Sequence, residues 1–177
     1  MINIKRYALF LKIILILGCI PTFVHGFFKT TINWINGLVP KNVAAGLEIF
    51  YQSITPTVKA LCIFIDVVIP SIILIFGFIY FVKILNLFKK GEIFSKPVFL
   101  CFKRLARVAF IWVIYSPISF ILLGLIVTMN NPKGSRYLAI GFNTQDILNI
   151  IVFGFFSIIT SIMYEGLVLK KQSDLTV

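Results

Sequence analysis

Ionisable residues inside long apolar stretches are the side chains of this chain best suited to do chemistry. Four of them interrupt apolar sequence: Lys12, His25, Asp66 and Glu165. A charged group at the centre of a bilayer costs ~2.5 to 3.5 kcal/mol, so each needs a partner or a route to water. Such residues are typical of proton or ion pathways, but also of packing pairs and of side chains that snorkel to the membrane surface.

Depth along the apolar stretches predicts which of these groups can meet. Asp66 lies inside the outer part of the second stretch, where His25 and Lys29 at the end of the first stretch could reach it. Lys12 and Glu165 share a depth near the opposite side. We expect structural roles for these groups, because a pathway would need more polar residues near the midplane than the sequence contains.

Sequence motifs for catalysis and metal binding are missing from the chain. It has one His, no HExxH, no GxSxG, no Gly-rich phosphate loop and no pair of carboxylates on one predicted helix face. Cys19, Cys62 and Cys101 lack a CxxC spacing and are interpreted as packing residues. We therefore expect no enzymatic activity, no metal and no cofactor.

Four continuous apolar stretches carry these residues. Hydrophobic residues make up 59% of the 177 and charged residues 13%, a balance that excludes an ordinary soluble domain. Each stretch reaches the roughly 20 residues that a helix needs to cross the bilayer, and none alternates as a barrel strand would. The sequence predicts an all-α, polytopic four-helix transmembrane bundle in a single membrane domain. Its spans are predicted at about 7–28, 59–87, 108–129 and 147–169.

The first stretch has an alternative interpretation as a cleaved signal peptide. Lys5 and Arg6 precede the apolar run, and Val24, His25 and Gly26 resemble a cleavage site. Lys12 interrupts the run early, however, and the run is longer than the core of a signal peptide. We expect a retained span.

Positive charge predicts the orientation. Twelve of the 17 Lys and Arg residues lie on one side of the predicted spans, and the other five on the opposite side. The larger group is Lys5, Arg6, Lys12, Lys83, Lys89, Lys90, Lys96, Lys103, Arg104, Arg107, Lys170 and Lys171. Because positive residues resist translocation, both termini and a basic loop at about 88–107 are predicted to be cytoplasmic, with outer loops at 29–58 and 130–146. This topology explains the net charge of +11 without direct nucleic-acid binding.

The basic loop is predicted to contain a helix end and a helix start. Gly91 suits the position after a helix, and Ser95 with Pro97 suits the beginning of the next. Apolar residues then recur at helical spacing opposite the basic ones, so we expect the third helix to begin in the cytoplasm and continue into its span. Its basic residues Lys89, Lys90, Lys96, Lys103, Arg104 and Arg107 suit anionic lipid head groups or a docking surface for a cytoplasmic protein.

Other features predict local packing. Gly154, Ser157 and Ser161 share one face of the fourth helix with Glu165, a pattern that favours contact with another helix and, as an alternative, a homodimer. Pro70 and Pro117 should distort their helices. In the first outer loop, Trp34 and Tyr51 are predicted as interfacial anchors and 44–50 as a short helix.

Two blocks of sequence resemble a known family: Leu87–Ser95 with the basic run to Arg107, and Met163–Val177. The chain is similar there to the bacterial four-span membrane proteins filed as domain of unknown function twenty-nine seventy-five. The resemblance implies a bacterial membrane module whose gene often lies beside that of a small helix-turn-helix regulator. It implies no catalytic residue.

Two functional classes follow from these patterns. The first is a non-enzymatic regulator or sensor in the bacterial cytoplasmic membrane that holds a cytoplasmic helix-turn-helix partner. The alternative is a small transporter, or a membrane subunit of one, in which Asp66, His25 and Glu165 would line a path.

Overall fold

Four long helices form the part of the chain that the computed structural model describes, residues 2–39, 54–136, 138, 141 and 144–175. Within these ranges the fold is helical, without a strand, and four segments are long and apolar enough to cross a membrane: Arg6–Ile35, Pro56–Lys90, Lys96–Thr128 and Thr144–Ser173. The predicted all-α four-helix fold is therefore confirmed. The short helix expected at 44–50 and the predicted anchor Tyr51 lie outside the described residues.

The helices are named in chain order. The first comprises α1 (Ile2–Ile14), a π-helical segment (Leu15–Cys19) and α2 (Ile20–Ile35); the second comprises α3 (Pro56–Ile63), a π-helical segment (Phe64–Val68) and α4 (Ile69–Lys90). The third and fourth are α5 (Lys96–Thr128) and α6 (Thr144–Leu175). Each is longer than the apolar stretch that predicted it, because the flanking polar residues extend the helical turns beyond the hydrocarbon-length core.

Both π-helical segments end shortly before a proline. Leu15–Cys19 precedes Pro21, and Phe64–Val68 precedes Pro70. A proline ring clashes with the carbonyl four residues earlier and has no N–H to donate, and in both helices that carbonyl belongs to the π-helical segment. The wider π-helical turn lets the helix continue through the proline. The distortion predicted at Pro70 takes this form, whereas Pro117 lies inside the continuous helix α5.

The turn between the second and third helices is short and tightly closed. Gly91 adopts a left-handed conformation with φ 84°, and the N–H groups of Gly91 and Glu92 donate to carbonyls of the last turn of α4. Ser95 is extended and α5 begins at the next residue, with Pro97 in its first turn. These ends match the predicted ones. The Ser95 hydroxyl, however, lies 3.5 Å from Glu92 Oε2 and does not cap the helix.

Helices pack mainly against their neighbours in the chain: first against second, second against third, third against fourth. We call the side carrying the 91–95 turn and both chain ends the terminal end, and the opposite side the loop end. The loop-end core consists of Trp34, Ile54, Val58, Cys62, Val67, Leu123 and Val127. The terminal-end core consists of Ile84, Val98, Phe102 and Leu105. The buried face predicted for the start of the third helix is confirmed by Val98, Phe102 and Leu105.

The fourth helix is displaced toward the terminal end relative to the third. Phe110 packs on Phe153 with ring centroids 5.3 Å apart, and Phe99 packs on Tyr164 at 5.5 Å. In this register the first turn of α6 lies beside the middle of α5, and α6 continues past the beginning of α5. The fourth helix therefore extends beyond the 91–95 turn.

Candidate functional site

Asp66 lies in the π-helical segment of the second helix and is bound by the first helix. Trp34 Nε1 donates to Asp66 Oδ2 at 2.8 Å, and the Trp34 side chain has no exposed surface. The prediction that Trp34 anchors the chain at the membrane interface is therefore wrong, because its ring fills the loop-end core. His25 and Lys29 are both exposed, and neither forms a hydrogen bond or an ion pair with Asp66 among the described residues.

The carbonyl next to Asp66 is bound by the third helix. In the π-helical register the amide of residue 70 would pair with the carbonyl of Ile65, as that of Ile69 pairs with Phe64. Pro70 has no amide proton, so this carbonyl would stay unpaired inside the membrane. The Tyr115 hydroxyl donates to it. One missing backbone donor is thus replaced by a side chain of another helix.

The third helix also contacts a carboxylate at the start of the fourth. Ser116 donates its hydroxyl to Asp146 Oδ1, and Asp146 is only 5% exposed. Asp146 lies in the first turn of α6, where the helix dipole favours negative charge. The sequence alone did not predict this buried contact, because it depends on the register between α5 and α6.

These contacts form one layer, which we call the polar layer: Trp34, Asp66, Tyr115, Ser116 and Asp146. It connects the first helix to the second, the second to the third and the third to the fourth. Asp66 was predicted from its position in an apolar stretch. The other members were not predicted as a site, although the sequence carries one signal for them: Pro70 removes a donor that some side chain has to replace.

A cavity of about 210 Å³ lies beside Asp66, between the first and second helices. Three hydroxyl residues line it, Thr22, Thr30 and Ser71. Thr22 and Ser71 donate to backbone carbonyls of the turns that precede them, in the stretches disturbed by the prolines. The cavity combines a carboxylate, hydroxyl oxygens and the π-helical segment of the second helix, a kind of element that is frequent at functional sites in helices.

The remaining predicted intramembrane groups lie apart from the polar layer. Lys12 Nζ donates to Asn86 Oδ1 at 3.0 Å, which connects the first and second helices near the terminal end. Glu165 is exposed on the fourth helix and does not pair with Lys12. His25 is exposed on the first helix. The structure therefore does not bring Asp66, His25 and Glu165 together.

The small-residue face of the fourth helix is open in the described part of the chain. A Cβ added at Gly154 would meet no atom within 4 Å, and Ser161 is exposed. Ser157 and Ser161 donate to carbonyls of the preceding turn, so they need no partner helix. The third helix is contacted instead by the aromatic face that includes Phe153 and Phe156.

Basic side chains at the terminal end fall into two groups. Lys89, Lys90, Lys96, Lys170 and Lys171 are exposed around the 91–95 turn and on the extension of α6 beyond it; we call them the terminal basic surface. Gly166 fixes this arrangement, because an added Cβ would overlap the ring of Phe94 in the turn.

The second group lies further along α5 from the 91–95 turn. Arg104 and Arg107 line a groove between the second and third helices, and the Lys103 ammonium lies 6.0 Å from the ring centroid of Phe99. Arg104 and Arg107 thus lie in a groove, whereas the terminal basic surface surrounds the 91–95 turn.

Among the described residues, no group of three or more His, Cys, Asp and Glu side chains is placed to hold a metal ion. No curated protein and no solved structure matches the chain. Residues 30–177 match the family described as "Protein of unknown function (DUF2975)", a range that contains the whole polar layer and the terminal basic surface. This match covers most of the chain and agrees with the four membrane-length helices, and the protein is thus a member of the DUF2975 family.

Proposed function

We propose that this protein is a non-enzymatic regulator or sensor module of the bacterial cytoplasmic membrane, with both termini in the cytoplasm. In this proposal the terminal basic surface binds a cytoplasmic protein, and the polar layer holds the four helices in a fixed arrangement. The excess of Lys and Arg at this end supports the orientation.

The observation that carries the proposal is the rigid display of charge around the 91–95 turn. Lys89 and Lys90 end one helix, Lys96 begins the next, and α6 extends past the turn with Lys170 and Lys171 exposed. Beyond Gly166 this extension reaches about 13 Å, at 1.5 Å per residue. Such a surface suits a partner with an acidic face, because complementary charge steers association and fixes orientation. The small helix-turn-helix regulator implied by the family resemblance is the partner we propose.

Co-purification of the full-length protein with that regulator tests the proposal. We expect the two proteins to purify together in mild detergent, and the Lys89→Gln/Lys90→Gln variant to lose most of the regulator. The matched control is Lys29→Gln/Lys133→Gln, which removes the same charge from exposed positions at the loop end. Equal recovery with both variants, or no recovery with the native protein, would contradict the proposal.

Transport is a second candidate function, favoured by the cavity beside Asp66. The cavity and the π-helical segment that carries Asp66 resemble the interrupted helices at which transporters bind substrates. Asp66→Asn keeps an acceptor for Trp34 and removes the charge. If this variant folds normally but abolishes a solute-dependent flux or growth phenotype that the native protein supports, transport replaces regulation as the better proposal.

Self-association is proposed only as an addition to the first function. The open face of Gly154, Ser157 and Ser161 would permit close approach of a second fourth helix.

A further inference from the structure

A groove between the second and third helices contains two guanidinium groups about two to three helical turns after the start of α5. Arg104 and Arg107 lie one turn apart on α5 and line a cavity of about 310 Å³ together with Tyr80. Both arginines are exposed, and neither forms an ion pair or a hydrogen bond within the described residues. We call this the Tyr80 groove.

Two cationic side chains lie close to the Tyr80 ring. The Arg104 guanidinium and the Lys83 ammonium each lie 5.7 Å from its ring centroid. The ring attracts both cations through its quadrupole, but the cations repel each other. A negative group close to Arg104 would offset that repulsion, and the described part of the chain supplies no carboxylate that pairs with either cation.

The apolar part of the groove faces the lipid. Ile73, Phe76 and Ile111 line it, and Phe76 and Ile111 are 51% and 52% exposed. Ile73 and Phe76 on the second helix lie further from the terminal end than Tyr80, and Ile111 on the third helix lies further from it than Arg107. The groove therefore leads from the cations toward the interior of the span. One site therefore combines a cationic end with an apolar channel.

We propose that the Tyr80 groove binds one anionic phospholipid. Its phosphate oxygens accept hydrogen bonds from Arg104 and Arg107, whose planar donor groups match phosphate geometry, and one acyl chain lies along Ile73, Phe76 and Ile111. The apolar channel favours a lipid over free phosphate, because free phosphate would contact only the cationic side chains. Basic pockets between transmembrane helices are known places for such head groups.

Native mass spectrometry of the full-length protein in detergent tests this site, with dioleoyl phosphatidylglycerol and dioleoyl phosphatidylcholine as probes. We expect the native protein to retain one phosphatidylglycerol in preference to phosphatidylcholine. The Arg104→Gln/Arg107→Gln variant should reduce that retention about thirtyfold, which corresponds to ~1 kcal/mol for each of the two arginines. Lys96→Gln/Lys103→Gln is the matched control, because it removes the same charge from the same helix outside the groove. It should change retention less than about twofold.

Tyr80→Leu provides a second variant that leaves the net charge unchanged. It should reduce retention by weakening the placement of Lys83 and Arg104, and circular dichroism of every variant establishes that the helices have formed. The proposal is overturned if both double variants lose lipid equally, which would indicate diffuse charge attraction. It is also overturned if the native protein does not distinguish the two lipids, or if millimolar sodium phosphate displaces phosphatidylglycerol.

Discussion

Asp66 is a carboxyl group placed where water is scarce, and its neighbours reduce the cost of that position. Trp34 donates a hydrogen bond to one carboxyl oxygen, and the cavity beside the residue is lined by hydroxyl groups. The indole ring also fills the loop-end core. The same residue therefore contributes packing and polarity, which ties the geometry of the carboxyl group to the stability of the fold.

Replacing Trp34 should show both contributions. Trp34→Phe leaves the carboxyl oxygen without its donor and removes buried volume, and we expect a loss of about 2 to 4 kcal/mol in the free energy of unfolding. Denaturant titration in detergent micelles, followed by circular dichroism, measures it. Trp112→Phe is the control, since the Trp112 indole donates no hydrogen bond within the described residues; its cost should stay below about 1 kcal/mol.

A double-mutant cycle of unfolding free energies tests whether the hydrogen bond between Trp34 and Asp66 contributes to stability. In an Asp66→Leu background there is no carboxyl group left unpaired, so Trp34→Phe should cost at least about 1 kcal/mol less there than in the native protein. Purely additive costs would mean that Trp34 acts only through packing.

At the scale of helices, the two proline-linked π-helical segments are the features that set the local register. In the second helix the segment places Asp66 toward Trp34 and leaves the Ile65 carbonyl for Tyr115. In the first helix, the Thr22 hydroxyl donates to the carbonyls of Gly18 and Cys19 of the same helix. Among the described residues, a side chain of a neighbouring helix binds a carbonyl of the second segment, that of Ile65.

Tyr115 and Pro70 should consequently be coupled in stability. Tyr115→Phe leaves the Ile65 carbonyl unpaired and should cost about 1 to 3 kcal/mol. Pro70→Ala restores a backbone amide that can pair with this carbonyl, so Tyr115→Phe should cost about 1 kcal/mol less in that background. The measurement is a double-mutant cycle of unfolding free energies. Pro21→Ala, at the other π-helical segment, serves as control and should leave the cost of Tyr115→Phe unchanged.

Local signals and tertiary contacts explain which elements could be predicted. Gly91 and Ser95 determine a helix end and a helix start through backbone preferences that act within a few residues, so the sequence predicted both correctly. The pairing of Trp34 with Asp66 depends on the rotation of two helices about their axes. Apolar stretches of this kind fix length but not rotation, because lipid-facing and protein-facing residues are equally hydrophobic. Without the rotation of the helices, His25 was predicted from its depth alone as a partner of Asp66.

For the whole molecule, the connections and the position of the fourth helix distinguish the two ends. The terminal end carries the short 91–95 turn and the displaced end of α6, whereas the two longer connections lie at the loop end. Charge counting predicted which end is cytoplasmic, and helix geometry alone carries no information on that point. The displacement of α6 could not be predicted, since it follows from aromatic packing between α5 and α6.

Cysteine labelling tests the orientation of the whole molecule. With Cys19, Cys62 and Cys101 replaced by alanine, a single cysteine is introduced as Glu92→Cys or Lys133→Cys, both at exposed positions. In intact spheroplasts a membrane-impermeant maleimide should label the Lys133→Cys protein at once and the Glu92→Cys protein only after lysis. The opposite pattern would place the terminal basic surface outside the cell and remove the basis for a cytoplasmic partner.

Packing between chain neighbours has a consequence for biosynthesis. Each helix that enters the membrane during translation finds its main partner, the preceding helix, already inserted. The hydrogen bonds of the polar layer can then form in chain order, first with second, second with third, third with fourth, and no early helix has to wait for the last one. Such local order keeps loop closure short and limits the time that a buried carboxyl group spends without a donor. A ribosome-bound chain truncated after the second helix should already form the hydrogen bond between Trp34 and Asp66.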